Sequence, residues 1–243
     1  MQLIIEGLPL LWRGLIVTFQ LAAMSLACTT VLSLIVGLAS VSRWRALRWF
    51  SVVYVEFFRD IPLVVNLLFV YFGAPLVGLS LDPFAAALVS FTSWGAANGA
   101  EIIRGGFNAL SKHQRESALA LGMRPAETMF LVLLPQILLP ILPAFTGLFS
   151  ILIQSTALAT MVGAMEFLRS AQVIVERTTM MTGESPAFVI YGFVLCVYFV
   201  ICFSLNLFTG WLERRIKNTR TVYRQVERGE TIPVVAETSL EKP

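Results

Sequence analysis

Five stretches of this chain are each long and apolar enough to reach across a lipid bilayer, and nothing else in the sequence limits the fold as much. They cover residues 14–40, 50–76, 84–103, 129–153 and 187–212. A spanning helix needs about 20 mostly apolar residues. In hydrocarbon every backbone N–H and C=O must be satisfied within the protein, so spans of this kind fold as helices. Only 14% of the residues are charged, against about 25% in a soluble domain. The sequence therefore predicts an all-α integral membrane protein with about five transmembrane helices.

Three of the spans are interrupted. The second holds Glu56, Arg59, Asp60 and Pro62, and the third holds Asn98 and Glu101. The fourth holds Pro135, Pro140 and Pro143. Proline removes a helix hydrogen bond, so the fourth span is expected to be kinked and buried in a bundle. Residues 1–13 carry Glu6 and no early basic cluster, unlike a cleaved leader. They are expected to lie at the interface as a helix broken near Gly7 and Pro9. Cys28, Cys196 and Cys202 all fall within apolar runs, without metal-ligand or CxxC spacing, and read as packing residues.

Basic residues set the orientation. Arg43, Arg45 and Arg48 lie between the first two spans. Arg104, Lys112, Arg115 and Arg124 lie between the third and fourth, and Arg214, Arg215, Lys217, Arg220, Arg224 and Arg228 follow the fifth. These regions alternate so as to share one side, and the other side holds only Arg13, Arg169 and Arg177. By the positive-inside rule the N-terminus is outside and the C-terminus cytoplasmic. The basic residues form no single face, which excludes a nucleic-acid footprint. The transmembrane domain is read as residues 14–216, with a cytoplasmic loop at about 104–128. Residues 217–243 read as a polar cytoplasmic tail expected to be disordered.

Within that loop, residues 116–135 read ESALALGMRPAETMFLVLLP. A short polar helix runs into Gly122, and an apolar run then ends in Leu134 and Pro135. This resembles the EAA loop of the membrane-spanning subunits of ATP-binding-cassette (ABC) importers, with Ser117 in place of the usual first alanine and His113 where glycine is common. The opening GLIVT at 14–18, YVEFFRDIPLVVNLLFVYFGAP at 54–75, LLPQILLPILPAF at 133–145, QSTALATMVGAMEF at 154–167 and LERR at 212–215 occur in the same order as in polar amino acid ABC permeases. The chain is identified as resembling the histidine/glutamate/glutamine-type permease family.

The resemblance implies the type I importer fold in a bacterial inner membrane, as a multi-pass subunit. It implies two ABC ATP-binding subunits, a second permease (identical or paralogous) and an extracytoplasmic amino-acid-binding protein. The substrate would be a polar amino acid, and ATP and Mg would bind the partner ATPase, leaving no cofactor, metal or catalytic residue on this chain. The ATP-binding motif G-x-x-x-x-G-K-[ST] is missing from the sequence, in keeping with a separate motor. Lys112, Gln114, Arg115, Glu116, Ser117, Ala118 and Gly122 are the expected coupling residues, with Lys112, Gln114 and Arg115 on the outward face. Gly122 is placed to end the helix.

Glu56 and Arg59, and likewise Glu101 and Arg104, are spaced to pair along one helix face. Pro62 should open the second span locally. Arg59 beside that opened backbone would make a clamp for a substrate carboxylate. Gln154, Ser155 and Thr156 are the remaining candidates for the substrate path. Family members often carry an aspartate where this chain has Ser155, and a serine where it has Ala157. Ala97 occupies a position where an aromatic residue is common. The apolar stretch after Thr156 is too short to span and is expected to re-enter the bundle. Gln154 in place of a lysine leans toward acidic or amide amino acids. A self-contained ion-coupled secondary amino acid carrier is the alternative, although no internal repeat supports it. An intramembrane enzyme would need HExxH or paired intramembrane aspartates, and neither is present.

Overall fold

The longest contact in the molecule joins two helices through small residues. In this computed structural model, which describes the backbone of residues 2–227 and the side chains of 7–215, helix α1 (Gln2–Ser40) packs along α4 (Pro83–Asn108). Ser25, Thr29 and Ser33 recur at helical spacing on α1 and are fully buried. Gly95 and Gly99 face them. A Cβ on Gly95 would lie 2.6 Å from Thr29 Oγ1, and one on Gly99 would lie 2.6 Å from Ser33 Cβ. Only hydrogen fits there, so the two backbones approach closely, as membrane helices do where small residues meet.

The other elements arrange themselves around that pair. Helices α2 (Arg45–Asp60), α3 (Leu63–Gly73) and α7 (Leu134–Ser155) all pack on α4. Between α4 and α7 lie α5 (Lys112–Ala120), the single turn α6 (Pro125–Glu127) and a π-helical segment, Thr128–Leu133. After α7 come a 3-10 segment, Thr156–Val162, then α8 (Phe167–Thr182) and α9 (Ala187–Glu227). Because α4 is surrounded, it need not be lipophilic throughout, and Asn98, Glu101 and Arg104 are tolerated on it. Asp82 caps its first turn by accepting a hydrogen bond from the Ala85 N–H at 2.7 Å, and Pro83 follows at N1.

By length and composition three helical stretches are apolar enough to cross a membrane: Gly7–Ser40, Pro125–Val162 and Ala187–Arg215. Arg45–Asp60 with Leu63–Val77 makes a fourth if a pair bent by 103° is taken as one span. The second expected span is thus two helices. Ile61, ahead of Pro62, is extended at φ −88° and ψ 126°, as the proline ring demands of its predecessor.

Three other expectations need correction. No break occurs near Gly7 or Pro9, and no separate segment ends at residue 13, because α1 is one helix of 39 residues. Leu11 on its first turns packs in a buried cluster with Phe167 and Ile174 of α8, which outweighs the hydrogen bond lost at Pro9. Much of α7 stays exposed within this chain, although Pro140 and Pro143 lie inside a continuous helix. Finally, α9 continues as helix through Glu227, eleven residues into the stretch read as a disordered tail. Residues 228–243 lie outside the described part. Trp44 and Trp49 are exposed at the start of α2, and Trp12 and Trp211 are exposed near the ends of the apolar stretches Gly7–Ser40 and Ala187–Arg215, where aromatic rings sit at the lipid headgroups.

The α1–α4 contact makes a direct prediction. Gly99→Val forces the helices apart and is expected to cost about 1–3 kcal/mol, seen as a lower thermal midpoint of the purified protein in detergent. Gly105→Ala on the same helix meets nothing within 4 Å and is expected to cause no loss. Equal midpoints for Gly99→Val and the wild type would refute close packing there.

Candidate functional site

Helix α5 is built to stand free of the bundle while staying attached to it. Ser111 caps its start, its Oγ accepting from the His113 N–H at 3.3 Å. Gly122 ends it at φ 82°, in the left-handed region that glycine enters without strain. Gly122 N–H donates to Leu119 C=O at 3.0 Å and Met123 N–H to Ala118 C=O at 3.2 Å. That pair of bonds is a Schellman motif, so the expected stop at Gly122 is met. Arg124 N–H then donates to Glu127 Oε2 at 2.7 Å, starting the next turn at once.

Lys112, Gln114 and Arg115 are exposed, and so are His113, Glu116 and Ala120. Ala118 is the buried residue of α5. At 100° per residue, Gln114 and Arg115 flank Ala118, while His113, Glu116 and Ala120 point the opposite way. Gln114 Oε1 accepts from Gln136 Nε2 of α7 at 3.3 Å. Arg115 and Lys112 line a cavity beneath the helix. His113, the only histidine, is exposed, its Nε2 3.3 Å from Ser117 Oγ.

A second constellation lies where α2 breaks. Arg59 ends α2, and the chain turns at Ile61 and Pro62 into α3. Arg59 Nη1 lies 3.8 Å from Glu101 Oε1 on α4. Arg104 Nε donates to Glu101 Oε2 at 2.8 Å. The expected Glu101–Arg104 pair therefore forms, but Arg59 turns across to Glu101 and not back to Glu56. Arg59, Trp94, Asn98 and Glu101 line one wall of a cavity of about 330 Å³. Gly147, Leu148 and Ile151 of α7 line the other. Ala97 is fully buried and belongs to the helix packing.

The remaining candidates face elsewhere. Gln154 Nε2 is 3.7 Å from Cys202 Sγ on α9. Ser155 Oγ donates back to the Ile151 carbonyl at 2.8 Å. Thr156 is buried, donating to the Ile153 carbonyl at 2.7 Å and lying 3.3 Å from Tyr198 Oη. The 3-10 segment that Thr156 opens does fold back into the bundle, with Ala159 and Val162 buried.

Sequence reasoning passed over Glu166, which is fully buried. It caps α8, accepting from Arg169 N–H at 2.7 Å and Leu168 N–H at 2.9 Å. Thr160 Oγ1 of the 3-10 segment donates to it at 2.6 Å and Tyr198 Oη of α9 at 3.2 Å. Thr18 of α1 lies 3.5 Å away and accepts from Phe167 N–H. One carboxylate thus ties four elements together. The only signal in the sequence was a glutamate two residues ahead of the Leu168–Arg169 pair at the start of an uncalled helix.

Residues 29–218 match the model of a family described as binding-protein-dependent transport system inner membrane component. The chain belongs to this family. Within it, the permease is of the polar amino acid ABC transporter type. It is 35% identical over 208 residues to the L-cystine transport system permease TcyB of Bacillus subtilis, covering 86% of this chain and 87% of that one. It is 33% identical over 221 residues to the glutamate/aspartate import permease GltK of Escherichia coli O157:H7, covering 87% and 96%. In structure it is similar to an amino acid ABC transporter crystallised with histidines, with TM-score 0.77, 28% identity and 87% and 96% coverage. The methionine transporter MetNI in an inward-facing form shares the fold at TM-score 0.71 and 22% identity, with 86% and 97% coverage. The permease is thus an all-α inner-membrane protein of the type I importer fold, a transport subunit that leaves ATP hydrolysis to another chain.

Removal of the Glu166 carboxylate strips a helix cap and leaves buried hydroxyls unpaired. Glu166→Ala is expected to lower stability by about 3 kcal/mol, measured as the thermal unfolding midpoint of the purified permease. Glu166→Gln, which keeps the shape and one acceptor, should lose less. An unchanged midpoint in the alanine variant would show that the four elements do not depend on this tie.

Proposed function

We propose that this permease crosses the bacterial inner membrane five times, with its N-terminus outside and its C-terminus in the cytoplasm, and that α5 couples it to an ABC ATP-binding subunit. Two such ATPases, a second permease and an extracytoplasmic amino-acid-binding protein complete the importer. The observation that carries this reading is α5 itself: exposed, sharply ended at Gly122, and joined by the Gln114–Gln136 contact to the helix that walls the Arg59 cavity. The basic residues at the same end of the bundle support the orientation.

In this mechanism the exposed side chains of α5, with Lys112, Gln114, Arg115 and Glu116 among them, meet the ATPase, while the small Ser117 and the buried Ala118 let the helix sit close to the body. Closure of the two ATPases pushes α5. The π segment Thr128–Leu133 passes that displacement into α7, and π-helical turns are common at such points. Movement of α7 then changes the cavity opposite Arg59, Asn98 and Glu101. Arg59 sits at the Pro62 break, where it would meet the substrate carboxylate. Gln154, Ser155 and Thr156 act at one remove, holding the upper end of α7 against α9. We assign the substrate to acidic or amide amino acids, since the path carries a cationic Arg59 and a neutral Gln154 and Ser155.

Copurification of the tagged permease from its native membrane, followed by mass spectrometry, tests the assembly. A stoichiometric ATPase is expected, and a chain that transports alone under an ion gradient would overturn the reading. Glu116→Lys or Gly122→Asp should insert normally yet weaken ATPase recruitment or separate ATP hydrolysis from uptake. Full uptake in both variants would sink the coupling assignment. Arg59→Ala is expected to reduce uptake about tenfold or more, the worth of one charge-assisted contact, with the ATPase still docked. Unchanged uptake kinetics would remove Arg59 from the path. In proteoliposomes with the complete system, glutamate, aspartate or glutamine should be accumulated, and transport of arginine or cystine alone would reverse the substrate assignment.

A further inference from the structure

The cavity beside α5 has a feature that coupling alone does not explain. It measures about 380 Å³ and is lined by Arg48 of α2, Arg104 of α4, and Lys112 and Arg115 of α5. None of its lining residues is acidic. Arg104 is committed to Glu101. Among the described residues, Arg48, Lys112 and Arg115 form no ion pair. Three uncompensated cations thus converge from two helices on one concavity, where their mutual repulsion favours an anion.

The position of the cavity identifies the anion. It lies where α1 ends at Ser40, α2 begins, α4 ends and the π segment leads into α7, which is the end of every neighbouring apolar helix. Trp44 and Trp49 flank Arg48 and are exposed, which sets this level at the headgroup region. Its remaining walls are largely apolar, with Phe107, Leu110, Met129 and Leu133. A polar, cationic floor with apolar walls at headgroup depth matches one ligand class. We propose that this cavity binds the headgroup phosphate of an anionic phospholipid, with the glycerol and upper acyl chain along the apolar wall. The lipid would brace the underside of α5 against α2. This inference shares Lys112 and Arg115 with the proposed coupling helix but is tested through Arg48 of α2, and it requires only that the bundle sit in a membrane.

The test uses the full transporter complex purified in mild detergent from its native membrane, with native mass spectrometry of retained phospholipid. Wild type is expected to retain an anionic phospholipid through delipidating washes. Arg48→Gln should reduce that retention about fivefold, the effect of one cation near an anionic headgroup. Arg48→Lys, which keeps the charge, should retain it. Arg45→Gln serves as a control, because Arg45 lies at the same level but does not line the cavity. Equal loss in Arg45→Gln and Arg48→Gln would mean diffuse surface charge and overturn the site. Displacement of the lipid by inorganic phosphate at equal concentration would show that the site takes a free anion and not a lipid. Loss of the ATPase from Arg48→Gln with lipid retained would show that the cavity receives a partner side chain, and would equally overturn the proposal.

Discussion

The approach of α1 to α4 is the constraint from which the rest of the architecture follows. In lipid there is no hydrophobic force to bring two apolar helices together, so contact area and shape must do it. The hydroxyls of Ser25 and Thr29 are buried at this contact without hydrogen-bond partners. Their small volume, and not their polarity, is what the interface uses. Gly95 also lies close to Leu152 of α7, and Gly99 close to Phe145. The same two glycines therefore admit helices from two sides. With α4 central, its polar residues are shielded by neighbours, and a glutamate at position 101 becomes tolerable because Arg59 and Arg104 can both reach it.

Much of this was readable in the sequence, for definable reasons. Three of the five expected spans declare themselves by apolar length among the described residues, and Pro62 disfavours a helical residue before it. Gly122 was placed by its position after a helical pattern, and its left-handed backbone follows from that position. Such features depend on local chemistry. The partner of Arg59 did not. The spacing Glu56–Arg59 suits a pair on one helix, yet Arg59 is the last basic residue before the break, where α2 stops and α4 passes. A partner across helices then competes with one along the helix, and only the packing decides between them. The contacts of α5 were unreadable for the same reason: a short polar helix has no apolar stripe to reveal which side is buried, and Ala118 carries too little hydrophobic signal. Helix α8 was missed because its sequence mixes Arg169, Glu176 and Arg177 with apolar residues and is too polar to resemble a span.

The permease type and the assembly it belongs to stand on different kinds of observation. The family match covers residues 29–218, and nearly the whole of each relative is represented in this chain. The relatives named for cystine, glutamate and aspartate, and the structure obtained with histidines, show that one scaffold accommodates chemically unlike amino acids. That spread makes physical sense if the scaffold's invariant work is mechanical. In this chain the α1–α4 contact and the turn at Gly122 are set by backbone packing and backbone conformation, and neither depends on the chemistry of a transported side chain.

Glu166 then gives the mechanical reading a boundary. In the proposed mechanism, a force arriving at α5 would pass through the π segment into α7 and reach the 3-10 segment at its far end. There Thr160 is bonded to Glu166, which is also bonded to α8 and α9 and adjoins Thr18 of α1. A buried carboxylate with this many donors resists separation, because any departing partner leaves an unpaired group in a medium that cannot hydrate it. The Glu166 end of the bundle is therefore the stiff end, and in the proposed mechanism the end where α5 meets Gln136 and packs on the π segment is the driven one. Displacement of α7 about a fixed Glu166 end would be largest at the α5 end and would shrink toward Ile151. In that geometry the cavity facing Arg59 lies between the driven end and the anchored one, where a modest tilt of α7 alters its width without breaking the Glu166 tie.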